Sequence, residues 1–208
     1  MLHLETIEPA TLELLIKLQT IEGLKQSRLV GGTSLALQMG HRISVDLDFF
    51  TYKLEADFIS ILASIKNEGH KAEIRKQSPN ILIAMIDDVK VDIVNYPYPW
   101  IDKQISEDNI NLASDKDIAA MKLSAITNRG SKKDFIDLYY LLEKYSLENM
   151  LSFYAQKYND GADFMVLKSL TYFDDAEQEL SPLLFDKSIT WKNIKDKINH
   201  EVKLVIGD

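Results

Sequence analysis

Apolar and polar positions alternate with two periods along this chain. Helical spacing marks Pro9–Leu18 as an amphipathic helix that ends before Gly23. A second such run, Ala56–Ile65, is stopped by Asn67-Glu68-Gly69. Between them Ser44-Val45-Asp46-Leu47-Asp48-Phe49-Phe50 alternates and reads as a strand. Its pattern sends Val45, Leu47 and Phe49 to a core and Asp46 and Asp48 to the opposite face. His70–Gln77 reads as a further strand, leading to a hairpin of Ile81–Ile86 and Val89–Val94 around Asp87-Asp88. Asp-Asp is less favoured there than Asn-Gly or Asp-Gly, so the turn type stays open. In the second hairpin strand Val89, Val91 and Ile93 share one face, and Lys90 and Asp92 the other.

Prolines make Asn95–Trp100 irregular and mark a boundary; Tyr96, Tyr98 and Trp100 are expected to pack between two parts of the protein. Beyond residue 112 the pattern is helical. Ser114 with Asp117 forms a capping box for a helix that stops near Gly130, and Ser131 with Asp134 starts the next. Lys122 and Arg129 lie two turns apart and can point the same way. Lys122 sits among Ala120, Met121, Leu123 and Ala125, where a lysine needs an anionic partner. Asp134 reads as a cap partner, and Asp137 as a group at the rim of a buried face. A last helix opens at Trp191.

Composition narrows the classes. With 208 residues, 46% of them hydrophobic, the chain can bury a full core as one or two domains. Its apolar runs are too short to span a bilayer, and MLHLETIEPA does not read as a signal peptide. The absence of cysteine excludes a disulfide framework and fits a cytoplasmic protein. A net charge of −8 does not attract nucleic acid to the whole surface. A nucleic-acid acceptor would need a local patch, for which Arg129, Lys132 and Lys133, with Lys116 and Lys122, are the best candidates.

Candidate chemistry concentrates in LVGGTSLALQMGHRISVDLDFFT. Gly31-Gly32-Thr33-Ser34 precedes the helical run Leu35–Met39, and a glycine turn opening a helix offers free amides and a positive dipole end to a phosphate. Asp46 and Asp48, about 6.6–6.8 Å apart along a strand, can share hard divalent cations. His41 and Arg42 lie just upstream. Zinc is disfavoured, because the four histidines are scattered without ligand spacing.

Gly-Gly, a short helix and then Asp-x-Asp on a strand resembles the DNA polymerase β-like nucleotidyltransferase superfamily. The fuller wording GGTSLALQMGHRISVDLDFF resembles the AbiEii/AbiGii-type nucleotidyltransferase toxins. The family's lysine, arginine, lysine–aspartate pair and further aspartate fall on Lys122, Arg129, Lys133-Asp134 and Asp137. Gly32-Thr33 stands where several members have Gly-Ser, so the phosphate contact falls to the backbone or to Thr33. The resemblance implies an α+β protein. A polymerase β-like core, a small mixed sheet with helices, would occupy residues 1–112, and a helical domain over 113–208 would close the cleft. It also implies a third carboxylate on a neighbouring strand, for which Asp92 is the candidate.

Asp46, Asp48 and Asp92 would then hold two Mg²⁺, with Mn²⁺ as an alternative, about 3.5–4 Å apart. Gly31, Gly32, Thr33, Arg42, Lys122 and Arg129 would bind a nucleoside triphosphate. Asp92, Lys122 and Asp137 would carry catalysis, with the metal carboxylates supplying Lys122 with its counter-charge in the free protein. The implied partners are a separately encoded antitoxin and tRNA as acceptor. A protein or small-molecule acceptor is the alternative within the same chemistry; a non-enzymatic interaction module keeping the fold is the alternative outside it.

Overall fold

The computed structural model describes residues 1–54 and 56–207. Helix α1 (Pro9–Leu18) leads to β1 (Arg28–Val30), α2 (Gly31–Met39), β2 (Leu47–Tyr52) and α3 (Phe58–Asn67). Strands β3 (Ala72–Ser78), β4 (Ile81–Ile86) and β5 (Val89–Tyr96) follow, then the short β6 (Ile105–Glu107) and β7 (Ile110–Leu112). The remainder is helical: α4 (Asp115–Asn128), α5 (Lys132–Leu141), α6 (Leu147–Tyr158), α7 (Asp163–Leu170), α8 (Asp174–Glu177) and α9 (Trp191–Ile206).

The strands form one mixed sheet in the order β3-β4-β5-β2-β1-β7-β6, parallel at β2–β5 and β1–β7 and antiparallel elsewhere. This is the expected α+β architecture. The β4–β5 hairpin closes with Ile86 opposite Val89, and Asp87 and Asp88 both take positive φ (46° and 66°) as a type I′ turn requires. Leu47, Phe49, Leu82, Val91 and Ile93 are fully buried on one sheet face, packed with Leu15, Leu18 and Ile61. A second core joins Val30 and Leu35 to the helical half through Leu123, Phe135, Leu138 and Ile198.

Local hydrogen bonds set the helix starts. The Ser114 hydroxyl accepts from the Asp117 amide (3.1 Å), and Asp57 caps α3 through Ser60 (2.8 Å). That cap moves α3 two residues beyond the expected 56–65.

Strand β2 begins at Leu47 rather than Ser44, and Val45 is 56% exposed instead of buried. The cause is competing pairing. The Ser44 amide donates to the Thr6 carbonyl (2.9 Å), that of Ile43 donates to Leu183 (2.9 Å), and the Phe185 amide donates back to His41 (3.1 Å). Residues 41–46 are thus engaged away from the sheet before β2 starts.

Candidate active site

Sheet order decides which carboxylates meet. Strand β5 lies parallel beside β2 with Asp92 directly opposite Asp48, and β1 lies on the other side of β2 with Val30 opposite Asp48. The chain turns at Gly31 (φ +68°) straight into α2, so the helix opens at the glycines and not after Ser34. A Cβ on Gly31 would collide with Asp48 Oδ2, and one on Gly32 with Arg42 Nη2. These glycines are therefore needed for close approach as well as for the turn. The α2 amides begin beside Asp48, with the first turn lacking intrahelical acceptors.

Asp46 sits in the extended segment ahead of β2. Its backbone carbonyl accepts from the Thr33 hydroxyl, which also bonds Ser44 Oγ (2.8 Å). Thr33 is buried and its hydroxyl is spent on holding this segment, which leaves the backbone to meet a phosphate. Asp46 and Asp92 are otherwise engaged separately. Lys133 Nζ lies 3.5 Å from Asp46 Oδ2, and Lys90 Nζ lies 2.8 Å from Asp92 Oδ1. As these side chains stand, no group of three histidine or carboxylate residues is gathered to hold an ion among the described residues. Asp48 keeps some opening to the cleft, yet burial, followed by the charge of Asp92, pushes its pKa up to about 6.

Behind the glycine turn lies a cluster of buried charges. Asp137 is fully buried and accepts from His41 Nε2 (2.8 Å) and from Arg42 Nε and Nη2 (2.7 and 3.0 Å), with Lys122 Nζ at 2.5 Å. Asp134, equally buried, accepts from Lys122 (2.8 Å), Arg129 Nε and Nη2 (2.8 and 3.0 Å) and the Ser131 hydroxyl (2.6 Å). Burial alone would raise both carboxyls; Lys122 and the arginines overcome it and hold them below the usual range, Asp137 well below. Burial likewise presses Lys122 towards the neutral amine, but Asp137 and Asp134 win and its pKa rises.

This geometry corrects several expectations. Asp134 and Asp137, not the metal-site carboxylates, are the counter-charges of Lys122. Asp137 is enclosed rather than at a rim, so it can position Lys122 and Arg42 but cannot touch an acceptor. Asp134 is part of the same cluster and not a cap partner: the Ser131 hydroxyl donates to its carboxylate and makes no bond to an α5 amide. Arg42 is occupied by Asp137 and the Ile43 carbonyl (3.0 Å), and it packs behind Gly32 at the edge of the site. The expected basic patch also breaks up. Lys132 is buried with Nζ on the Glu177 carbonyl (3.1 Å), and Lys116 pairs with Asp102 (3.0 Å). Arg129 and Lys133 remain about half exposed.

Gly31, Asp48, Lys122 and Arg129 line a cleft of about 840 Å³ between the sheet and the helical half, and Asp92 joins them there. Its far end is apolar and aromatic, with Phe50, Ile83, Met121 and Tyr158. Tyr96 bonds the Tyr158 hydroxyl (2.9 Å), and Lys157 stands over Tyr96 and Trp100 (5.0 and 4.8 Å), so these aromatics do pack between β5 and α6. A separate cavity of about 650 Å³ beside α3 holds one described carboxylate, Asp57, already used as a cap.

Two residues of the site were not singled out as ligands from sequence. Lys90 stands two positions before Asp92 on the same strand face, and that spacing is a usable signal. His41 adjoins the glycine helix, but its bond to Asp137 spans 96 positions and leaves no local pattern.

Residues 15–204 match the family described as nucleotidyl transferase AbiEii toxin, type IV TA system. The chain belongs to that family. It is a nucleotidyltransferase of toxin–antitoxin type, as the Gly-Gly and Asp-x-Asp wording implies. The protein aq_aa25 of Aquifex aeolicus is 35% identical over 180 residues, covering 84% of this chain and 85% of that relative. Two solved structures share the fold. JHP933 from Helicobacter pylori is 19% identical over 96% of this chain and 93% of its own, with a TM-score of 0.59. MenT4, a nucleotidyltransferase toxin from Mycobacterium tuberculosis, is 14% identical over 92% and 79%, with a TM-score of 0.60. Among the described residues no helix is long and apolar enough to cross a membrane.

Proposed function

We propose that the protein moves a nucleoside monophosphate from a nucleoside triphosphate to a hydroxyl acceptor, with Mg²⁺ held by Asp46, Asp48 and Asp92. The observation that carries this reading is the in-register pair Asp48–Asp92 beside the Gly31 turn, with Lys122 on the same cleft. The donor set fits the ion: it offers hard carboxylate oxygens, and among the described residues Asp48 faces Asp92 in register with no cation paired to it. When bound, two such ions, or Mn²⁺ in their place, supply charge to the triphosphate and acidity to the acceptor hydroxyl.

The chain's own residues do the rest. The amides of Gly31, Gly32 and Thr33 receive the triphosphate at the start of α2. Lys122, fixed by Asp134 and Asp137, places a point charge where negative charge grows on the departing pyrophosphate. Arg129 adds a second cation from the cleft wall. Asp92 takes the proton of the acceptor hydroxyl. Residues 1–112 and 113–208 form the two walls that close on the nucleotide.

Family membership supports tRNA as the acceptor and a separately encoded antitoxin as the partner that restrains the activity. The test is incubation with each α-labelled nucleoside triphosphate and total cell RNA or protein, with Mg²⁺ or with a chelator. Label should enter RNA in the tRNA size range only with Mg²⁺. Label in protein, or in neither, would overturn the acceptor assignment.

A further inference from the structure

Lys90 and Asp92 leave the same face of β5 two residues apart, and Lys90 Nζ reaches Asp92 Oδ1 at 2.8 Å. Among the described residues that buried oxygen has no partner besides this ion pair. The Lys90 side chain is 40% exposed, so its head can leave into water with little desolvation to overcome. Asp92 faces Asp48 across the parallel pair, and Lys133 lies at 3.5 Å from Asp46, the third carboxylate. Each outer carboxylate is thus drawn towards a lysine on its own side of the site.

We propose that Lys90 is a place-holding cation. It offsets the charge of Asp92 while the site is free of metal and yields that carboxylate when a divalent ion enters. This rests on the reading that Asp46, Asp48 and Asp92 hold the metal. An ammonium and a divalent ion repel each other across one carboxylate, so Lys90 weakens metal binding to the empty site. A triphosphate brings its own negative charge and reverses that balance. The arrangement therefore couples metal loading to nucleotide loading, and it keeps the carboxylates from assembling an ion site alone.

The test uses the full chain without nucleotide at neutral pH, with Mn²⁺ as probe and free Mn²⁺ read by electron paramagnetic resonance. Lys90→Met keeps the stem and removes the charge, and it should bind Mn²⁺ about 5- to 30-fold more tightly than the wild type. Its metal-free melting temperature should fall and recover on adding Mn²⁺. Lys90→Gln should follow Lys90→Met, and Lys90→Arg should stay near the wild type. Lys116→Met, which removes an equal charge from the Asp102 pair at the start of α4, outside the cleft, should leave Mn²⁺ affinity unchanged. Equal or weaker Mn²⁺ binding by both neutral Lys90 variants would overturn the place-holding role while leaving the metal site standing. Absence of Mn²⁺ binding in wild type and variants alike would overturn the metal reading and this role with it.

Discussion

Asp137 holds four donor contacts from three side chains, His41, Arg42 and Lys122, and Asp134 holds Lys122 from the other side. Removing Asp137 leaves the buried Arg42 without a carboxylate, whereas removing Asp134 leaves Lys122 with one of its two and frees Arg129, which is 59% exposed. Asp137→Ala should therefore cost about 3–5 kcal/mol in urea unfolding and Asp134→Ala about 1–3 kcal/mol, and both should lose activity through Lys122. A loss below about 1 kcal/mol in either would show that the cluster is not coupled as described. Both carboxyls titrate below the usual range, so their contribution is present at neutral pH and is lost as pH falls below about 4. Asp48 has the opposite sign. Its pKa of about 6 exceeds the usual 3.8, so its contribution is full below about pH 4 and is lost as pH rises through about 6. Asp48→Asn has no charge to acquire. In chelator it should be more stable than the wild type by about 2–3 kcal/mol at neutral pH, and the advantage should vanish near pH 4. Parallel pH profiles for the two proteins would contradict this assignment.

Among the elements, the segment between α2 and β2 governs the site. Thr33 pins the Asp46 carbonyl and Ser44, which fixes where β2 begins and where the Asp46 side chain stands. Thr33→Val preserves shape but leaves that carbonyl unpaired, so it should cost about 1–3 kcal/mol by urea unfolding and lower activity as Asp46 loosens. A stable variant with reduced activity would instead place the Thr33 hydroxyl on the substrate. The hairpin and the start of α4 were legible in sequence because their causes are local: alternation in Ile81–Val94, and the cap at Ser114. Helix α5 does start at Ser131, but that hydroxyl bonds the Asp134 carboxylate and caps no amide. The glycine turn and Asp-x-Asp were legible as chemistry for the same reason. What escaped was long-range. Val45 fits a strand pattern, yet residues 41–44 pair with Thr6 and with residues 183–185, and nothing near them in sequence signals that. The three-residue strands β1, β6 and β7 carry too few positions for alternation to register. Lys122 was correctly read as needing an anion, but which anion depended on how α5 packs on α4.

For the molecule as a whole, the sheet supplies Asp48 and Asp92 and the helical half supplies Lys122 and Arg129 to one cleft, with Asp46 and Lys133 in the small pocket beside Asp48. The central claim is that Asp48 and Asp92, brought face to face by the parallel β2–β5 pair, carry nucleotidyl transfer. The most direct measurement compares wild type, Asp48→Asn and Asp92→Asn for transfer of α-labelled nucleotide to total cell RNA in Mg²⁺, each protein first shown to be folded by circular dichroism. The wild type should yield labelled RNA and both variants only background. Undiminished labelling by either folded variant would contradict it.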